Sequence, residues 1–156
     1  MYKGNAFMVA ALEEAMKAGQ NDEVPVGAVI TYNGAIISQS HNLVRKNMDP
    51  TAHAEVLCIR AASQKLSSYY LDECDIYVTL EPCAMCAQAI AFSKIKRLYF
   101  GAYDEKFGAI ENGVRLFNAP ISNHKPEIYG GIEQEKTTEI IQTFFSNKRG
   151  RAGILL

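Results

Sequence analysis

The stretch DIYVTLEPCAMCAQAIAFSKIKRLYFGAY, residues 75–103, alternates between two kinds of secondary structure. Its first six residues form a short apolar run with β-branched and aromatic side chains, which predicts a buried strand at 75–80. A helix is predicted to begin near Pro82, because proline is favoured in a first helical turn, and to end around Ser93. A second strand is predicted at 97–103. Strands joined through a helix run parallel in one sheet, so this stretch indicates an α/β architecture.

An N-terminal helix and a β-hairpin are predicted before this stretch. Apolar residues recur at helical spacing through residues 7–16, and Gly19 is typical of a helix C-terminus. The dipeptide Asn33-Gly34 separates two apolar runs and favours the type I′ turn of a tight hairpin. The sequence therefore predicts that residues 26–32 pair with residues 35–40.

Two more helices and one short strand complete the predicted secondary structure. Asp49-Pro50 is predicted to provide the N-cap and first position of a helix that runs to about Lys65. Residues 104–123 are rich in Gly, Asn and Pro, and irregular segments of this length often carry function. A last strand is predicted within 127–132, followed by a C-terminal helix at about 133–149.

Length and composition favour one globular domain over residues 1–156, with 48% hydrophobic and 21% charged residues. The order of elements predicts a three-layer α/β/α sandwich with a mixed central sheet and an N-terminal hairpin. A formal net charge of −1 gives no general attraction to nucleic acid or membranes, so such a partner would need a local patch. No apolar run approaches the ~20 residues of a membrane span. We expect a cytoplasmic protein without a membrane partner.

Two cysteines in the first turn of the predicted third helix indicate a metal site. Cys83 and Cys86 are three residues apart and therefore lie on one face of the helix. This spacing suits zinc, which needs at least a third protein ligand, and His53 can supply it. A Cys₂His set leaves the fourth position open, which is typical of catalytic sites. The positive end of a helix dipole also favours the thiolate form that binds metal.

Glu55 is the candidate for proton transfer at this site. Residues two apart on a helix point about 200° apart, so Glu55 is badly placed to be a second ligand beside His53. Side chains in the first turn tilt toward the helix N-terminus. His53 can therefore reach the metal, while Glu55 reaches a group beside the metal. A carboxylate there is a general base. The alternative is a closed zinc site that adds Cys58 and Cys74, which are more simply packing residues.

These motifs resemble those of a known family. His53-Ala54-Glu55 followed by Pro82-Cys83-Ala84-Met85-Cys86 is similar to the signature of zinc nucleobase deaminases. More narrowly, most of the chain resembles the bacterial tRNA-specific adenosine deaminases. The resembling segments are, in order, EVPVGAVI (23–30), DPTAHAE (49–55), TLEPCAMCAQAI (79–90), FGAYDEKFGA (100–109) and NHKPEIYGGI (123–132). The resemblance implies a cytidine-deaminase-like fold, in agreement with the pattern of elements.

The resemblance also implies a reaction, a cofactor and partners. One zinc ion per chain would be held by His53, Cys83 and Cys86, and Glu55 would move protons between water and the base. The implied reaction converts adenosine to inosine at the wobble position of a tRNA anticodon. The implied partners are a tRNA anticodon stem-loop and a second copy of the chain in a homodimer.

Residues outside the zinc motif are implied to contact the RNA. Asn42 would bind the substrate base, and the alternative for it is a turn amide. Asp104 and Lys106 would lie near the flipped nucleotide, and the pair Asn123-His124 near the RNA strand; otherwise these are ordinary loop residues. Aromatic and basic residues in the last helix suit single-stranded nucleic acid, whereas the alternative is a packed Phe pair at a solvated helix end. These residues are Phe144, Phe145, Lys148 and Arg149.

Two other functions share parts of this pattern. A deaminase of a free nucleobase or nucleoside, such as guanine or cytosine, would use the same zinc ligands and the same glutamate. The segment YDEKFGA (103–109) and the basic C-terminal helix favour an RNA substrate instead. A catalytically silent RNA-binding partner subunit would have lost the glutamate, whereas Glu55 is present.

Overall fold

The computed structural model describes the backbone of residues 3–152 and the side chains of residues 6–149. The chain begins with a helix and a hairpin, after which helices and strands alternate. The elements are α1 (Lys3–Gln20), β1 (Gly27–Tyr32), β2 (Ala35–His41), α2 (Ala54–Leu66), β3 (Asp75–Leu80), α3 (Ala84–Ser93), β4 (Arg97–Ala102), a short 3₁₀ helix (Leu116–Asn118), β5 (Glu127–Tyr129) and α4 (Gln134–Ala152).

The five strands form one mixed sheet in the order β2-β1-β3-β4-β5. β1 is antiparallel to both β2 and β3. β3 and β4, which are joined through α3, are parallel as predicted, and β5 is parallel to β4 although only a short 3₁₀ helix lies between them. Asn33 and Gly34 have φ angles of 51° and 76°, the left-handed conformation that a type I′ turn requires at both central positions. The predicted hairpin is therefore confirmed.

Helices cover both faces of the sheet because its central strands are apolar on both sides. Ile76 and Val78 of β3 face the layer formed by α2 and α3. Tyr77, between them, faces the opposite layer, where Met8 of α1 and Ile140 of α4 pack. The predicted three-layer α/β/α sandwich is confirmed. Within residues 3–152, no helix has the length and apolar character needed to cross a membrane.

The predicted start of the second helix is wrong. The helix begins at Ala54 rather than at Pro50. The carboxylate of Asp49 accepts hydrogen bonds from the N–H and hydroxyl of Thr51, at 2.8 and 2.7 Å, and so forms a local turn instead of a helix cap. Asn42, at the end of β2, supplies a hydrogen-bond acceptor for the first helical N–H. The other predicted helix ends differ from the structure by four residues or fewer.

The N-termini of helices α2 and α3 meet at one edge of the sheet. β3 and β4 are paired in parallel from Asp75 and Arg97 at their amino ends to Leu80 and Ala102 at their carboxyl ends. α3 begins directly beyond Leu80, and the N-terminus of α2 is joined to it through the side chain of His53. The carboxyl end of β3 therefore carries the three predicted metal ligands His53, Cys83 and Cys86.

Candidate active site

Three side chains that could hold a metal ion meet at the carboxyl end of β3. His53 Nδ1 lies 3.6 Å from Cys83 Sγ and 3.5 Å from Cys86 Sγ, and all three atoms lie within 4.8 Å of one another. Tetrahedral zinc, ~2.3 Å from sulfur and ~2.0 Å from nitrogen, places a nitrogen and a sulfur ligand about 3.5 Å apart. The separations of these donor atoms therefore fit a zinc ion. Among the described side chains, this is the only such group of three or more potential ligands.

Helix boundaries bring these ligands together. His53 is the N-cap residue of α2 and Cys83 the N-cap residue of α3, and both have extended backbone conformations. Neither side chain caps its own helix, so each is available to a ligand beyond the helix end. Cys86 is buried in the first turn of α3, on the same side as Cys83. The positive ends of two helix dipoles therefore favour anionic ligands in this space.

The two thiols cannot both ionise easily without a cation. A hydrogen bond from Cys86 lowers the pKa of Cys83 to about 4, although burial acts in the opposite direction. The same hydrogen bond, together with burial, raises the pKa of Cys86 far above its ordinary value. The hydrogen bond to Cys83 also raises the pKa of His53. A divalent cation would balance the negative charges of two thiolates, with the neutral imidazole as third ligand. Two thiolates and one imidazole form a typical zinc ligand set.

Glu55 lies beside the three ligands in the first turn of α2. Its side chain is buried, with 4% of the residue exposed. Burial raises the pKa of this carboxyl to about 7. A group with that pKa accepts and releases a proton near neutral pH, as a general acid and base must.

The structure places the other two cysteines away from this group. Cys58 is buried in the core, where its Sγ lies 3.1 Å from the Ser38 hydroxyl. Cys74 is buried just before β3, at the opposite end of that strand. Burial raises the pKa of Cys58 to about 12 and that of Cys74 to about 11. Both are therefore thiols that pack in the core, and a four-cysteine site is not formed.

Asn42 links the end of β2 to the start of α2. Its Oδ1 accepts a hydrogen bond from the N–H of Ala54 at 2.8 Å, which fixes the backbone between the two metal-side residues His53 and Glu55. The amide NH₂ of Asn42 makes no hydrogen bond to any of the described residues. This side chain therefore caps the first turn of α2.

The loop of residues 104–112 is attached to the same edge of the sheet. A β-bridge joins Cys83 to Gly108, and the N–H of Ala109 donates to the carbonyl of Pro82 at 2.9 Å. The carboxylate of Asp104 accepts the N–H groups of Lys106 and Phe107 and so shapes the loop itself. Asp104 and Lys106 are thus carried by a loop that is joined directly to a metal-binding residue.

Asn123 and His124 lie at the other end of β4. His124 Nε2 is 2.7 Å from the carbonyl oxygen of Ile95, which precedes the first residue of β4. The ammonium group of Lys94 donates to the Asn123 carbonyl at 3.1 Å. Six residues of a strand span ~20 Å, so the structure does not bring these two residues to the metal-binding group of the same chain.

The selected residues of α4 lie near the turn between α1 and β1. Lys148 Nζ is 5.0 Å from the centre of the Phe144 ring and 3.5 Å from a carboxylate oxygen of Asp22. Phe144 is half-buried, whereas Phe145 and Arg149 are exposed. One phenylalanine thus packs partly on the protein while the other faces solvent.

Glu81 is a functional residue that the sequence analysis missed. Its carboxylate is buried and accepts five hydrogen bonds from loop 104–112. A Cβ atom on Gly108 would lie 2.5 Å from Glu81 Oε2, so glycine is needed there. The sequence does contain a signal for this role, because Glu81 is an acidic residue between an apolar strand and Pro82. A buried charge there is costly unless hydrogen-bond donors compensate it.

Comparison with known proteins agrees with this geometry. Residues 1–102 match the family described as the cytidine and deoxycytidylate deaminase zinc-binding region. The tRNA-specific adenosine deaminase of Agrobacterium fabrum is 50% identical over 143 residues, which cover 92% of this chain and 94% of that protein.

Two solved structures support the same fold. One, from a study of A-to-I editing by tRNA:A34 deaminases at the wobble position of transfer RNA, is 50% identical. It superposes with a TM-score of 0.86 over 86% of this chain and 98% of its own. A guanine deaminase from Nitrosomonas europaea, 20% identical, shares the fold with a TM-score of 0.77 over 90% of this chain and 83% of its own. The zinc-binding match and the identity over nearly the whole chain establish that this chain belongs to the tRNA-specific adenosine deaminase family.

Proposed function

We propose that this protein catalyses the hydrolytic deamination of adenosine to inosine at the wobble position of a tRNA anticodon. The observation that carries the proposal is the cluster of His53, Cys83 and Cys86 beside the buried carboxyl of Glu55. Its family membership supports an RNA adenosine rather than a free base as substrate. Water and adenosine are consumed, and inosine and ammonia are released.

One zinc ion per chain would be held by His53, Cys83 and Cys86. When bound, zinc supplies Lewis acidity that lowers the pKa of a water molecule in the open fourth position to about 7. The two thiolates and the imidazole would hold the ion at the N-termini of α2 and α3, next to Glu55.

Glu55 would move protons during the reaction. Its raised pKa allows it to take a proton from the attacking water and pass it to the ring nitrogen of adenine. It would then assist protonation of the departing ammonia. Burial excludes bulk water from this carboxyl, so that the proton is transferred to the substrate rather than lost to solvent.

The free amide NH₂ of Asn42 would orient the base, since its carbonyl oxygen is already bonded to α2. Asp104 and Lys106 would lie close to the flipped nucleotide, because loop 104–112 is joined to the metal-binding segment. The aromatic and basic residues of α4 would contact neighbouring nucleotides by stacking and by binding phosphate. These residues are Phe144, Phe145, Lys148 and Arg149.

We further propose that the chain forms a homodimer in the cytoplasm, where its tRNA substrate is available. Met85 and Phe92 are seven residues apart on α3, lie on one face of it and are both exposed. A second copy of this chain is the occupant that we propose for this apolar face. Asn123 and His124, remote from the metal-binding group of their own chain, would then contact RNA that is bound to the other copy.

The experiment is incubation of the zinc-loaded protein with an anticodon stem-loop and, separately, with free adenosine, guanine and cytosine. Inosine formation in the stem-loop at a rate several powers of ten above that for free adenosine is the expected result. Ammonia release from guanine or cytosine without inosine in RNA would instead indicate a small-molecule deaminase. In the double variant Lys148→Ala/Arg149→Ala, stem-loop binding should depend less on salt. The slope of log K against log salt concentration should decrease in magnitude by about 0.7 for each phosphate that is no longer neutralised.

A further inference from the structure

Asp22 holds two cations that come from different parts of the chain. It lies in the turn between α1 and β1, with a left-handed φ of 62°. Its carboxylate forms one ion pair with Arg45, in the loop that follows β2, and another with Lys148, near the end of α4. These ion pairs draw two positive charges toward one anion at the protein surface.

Loop 43–49 carries Arg45 close to the candidate active site. The loop follows Asn42 directly, and residues 50–52 lead from it to His53, so the chain on both sides of the loop reaches the site. Three residues of extended chain span at most ~11 Å, which limits the distance between the backbones of Asn42 and Arg45. Arg45 therefore lies at the rim of the site, within reach of nucleotides next to the reacting one.

The position of the loop is fixed by a second, buried acid. Glu23 is 2% exposed, and its Oε1 accepts the N–H groups of Arg45 and Lys46 at 2.8 and 2.9 Å. The backbone of the loop is thus held by the carboxylate of Glu23, while the Arg45 side chain stays 61% exposed. A phosphate can reach this guanidinium without unfolding the loop.

We infer that Asp22 limits the affinity of this protein for RNA, because it occupies the cations that a backbone phosphate of the bound strand would otherwise neutralise. The inference rests on the proposed function and adds to it a residue that determines affinity. The ligand is a phosphodiester of single-stranded RNA beside the flipped nucleotide. On binding, the phosphate replaces the Asp22 carboxylate beside Arg45 and Lys148. On product release, Asp22 forms its ion pairs with these two residues again.

The physical basis is the weakness of exposed ion pairs. Asp22 is 48% exposed in both pairs, so solvent screens them and a phosphate can displace the carboxylate. Because the carboxylate must leave two exposed cations before a phosphate can pair with them, its presence weakens binding by about threefold. Removing that charge should also increase the salt dependence of binding, by up to about 0.7 in slope.

The test compares Asp22→Asn with Asp72→Asn in the zinc-loaded, full-length protein. Asp72 is an exposed carboxylate before the amino end of β3, so its substitution changes the net charge equally at the far end of the sheet. The probe is a fluorescent anticodon stem-loop with guanosine at the target position, which prevents turnover. Binding is measured by anisotropy at several salt concentrations. We expect Asp22→Asn to bind about threefold more tightly than wild type, and Asp72→Asn to bind like wild type.

A second background identifies the cations. In the double variant Arg45→Gln/Lys148→Gln, adding Asp22→Asn should no longer tighten binding. Equal tightening in Asp72→Asn, persistent tightening in the double variant, weaker binding in Asp22→Asn, or no binding by any variant overturns the inference. Inosine formation in the adenosine stem-loop is assayed separately. Its absence together with tighter binding by Asp22→Asn contradicts the proposed function alone, whereas inosine formation without that tightening contradicts this inference alone.

Discussion

Replacement of Glu81 should detach loop 104–112 from the metal-binding edge of the sheet. Glu81 Oε1 accepts hydrogen bonds from the N–H of Asp104 and the side chain of Asn112, at 3.1 and 2.7 Å. Its Oε2 accepts the N–H groups of Ile110, Glu111 and Asn112 at 3.0–3.1 Å. In Glu81→Ala all five donors lose their acceptor at once.

The expected cost follows from these five bonds. A hydrogen bond to a charged group contributes ~1.5–3 kcal/mol. The net loss is smaller than five such bonds, because the N–H of the exposed Glu111 can bind water instead and because the variant no longer pays to bury a carboxylate. Ile110 is 4% exposed, so its N–H stays buried unless the loop moves. We therefore expect Glu81→Ala to lower the free energy of unfolding by about 3–5 kcal/mol, because each N–H group that stays buried without an acceptor costs ~1–3 kcal/mol.

Urea unfolding measures this loss, and amide hydrogen exchange locates it. Exchange should accelerate at Asp104 and at residues 110–112 more than in the central strand β3. Glu111→Gln is the matched control, because it changes an exposed carboxylate on the same loop. The reasoning is refuted if Glu81→Ala unfolds like the control, or if the amides of residues 110–112 keep their wild-type exchange rates.

Three further predictions concern the metal site and the acid stability. Cys86→Ala should lose zinc by elemental analysis and unfold like chelator-treated wild type, because metal binding is coupled to folding, whereas Cys74→Ala should retain zinc. Glu55→Ala should retain zinc but lose activity by roughly 10²–10⁴-fold, and a zinc-loaded variant with wild-type turnover would exclude its proton transfer. Hydrogen bonds from His41 and Lys17 outweigh burial and hold the pKa of Glu14 below its usual 4.5. The contribution of Glu14 is full above pH 4.5 and is lost as pH falls through the lower folded pKa. Stability should thus fall less steeply with acid in Glu14→Gln, and equal slopes would contradict this.

Local sequence was sufficient for the elements whose own residues specify them. The apolar run at 75–80, the helix after Pro82 and the second run at 97–103 predicted a parallel strand pair, and the structure contains it. Asn33-Gly34 predicted the hairpin, because a type I′ turn requires the left-handed conformation at both central positions and few residues other than Asn and Gly adopt it readily. The grouping of His53, Cys83 and Cys86 as potential metal ligands was also predictable, since zinc requires particular atoms at a spacing that a helix turn provides.

Tertiary structure decided the features that depend on partners distant in sequence. Asp49 and Pro50 have the local signature of a helix start, but Asn42, twelve residues before Ala54, supplies the cap instead. The same holds for Glu81, whose hydrogen-bond donors are 23 to 31 residues away. Side-chain spacing along the chain carries no information about such pairs, because their energy exists only after the sheet has brought the two segments together. The sequence therefore predicted which potential metal ligands lie together, whereas the hydrogen bonds that support them arise only in the folded chain.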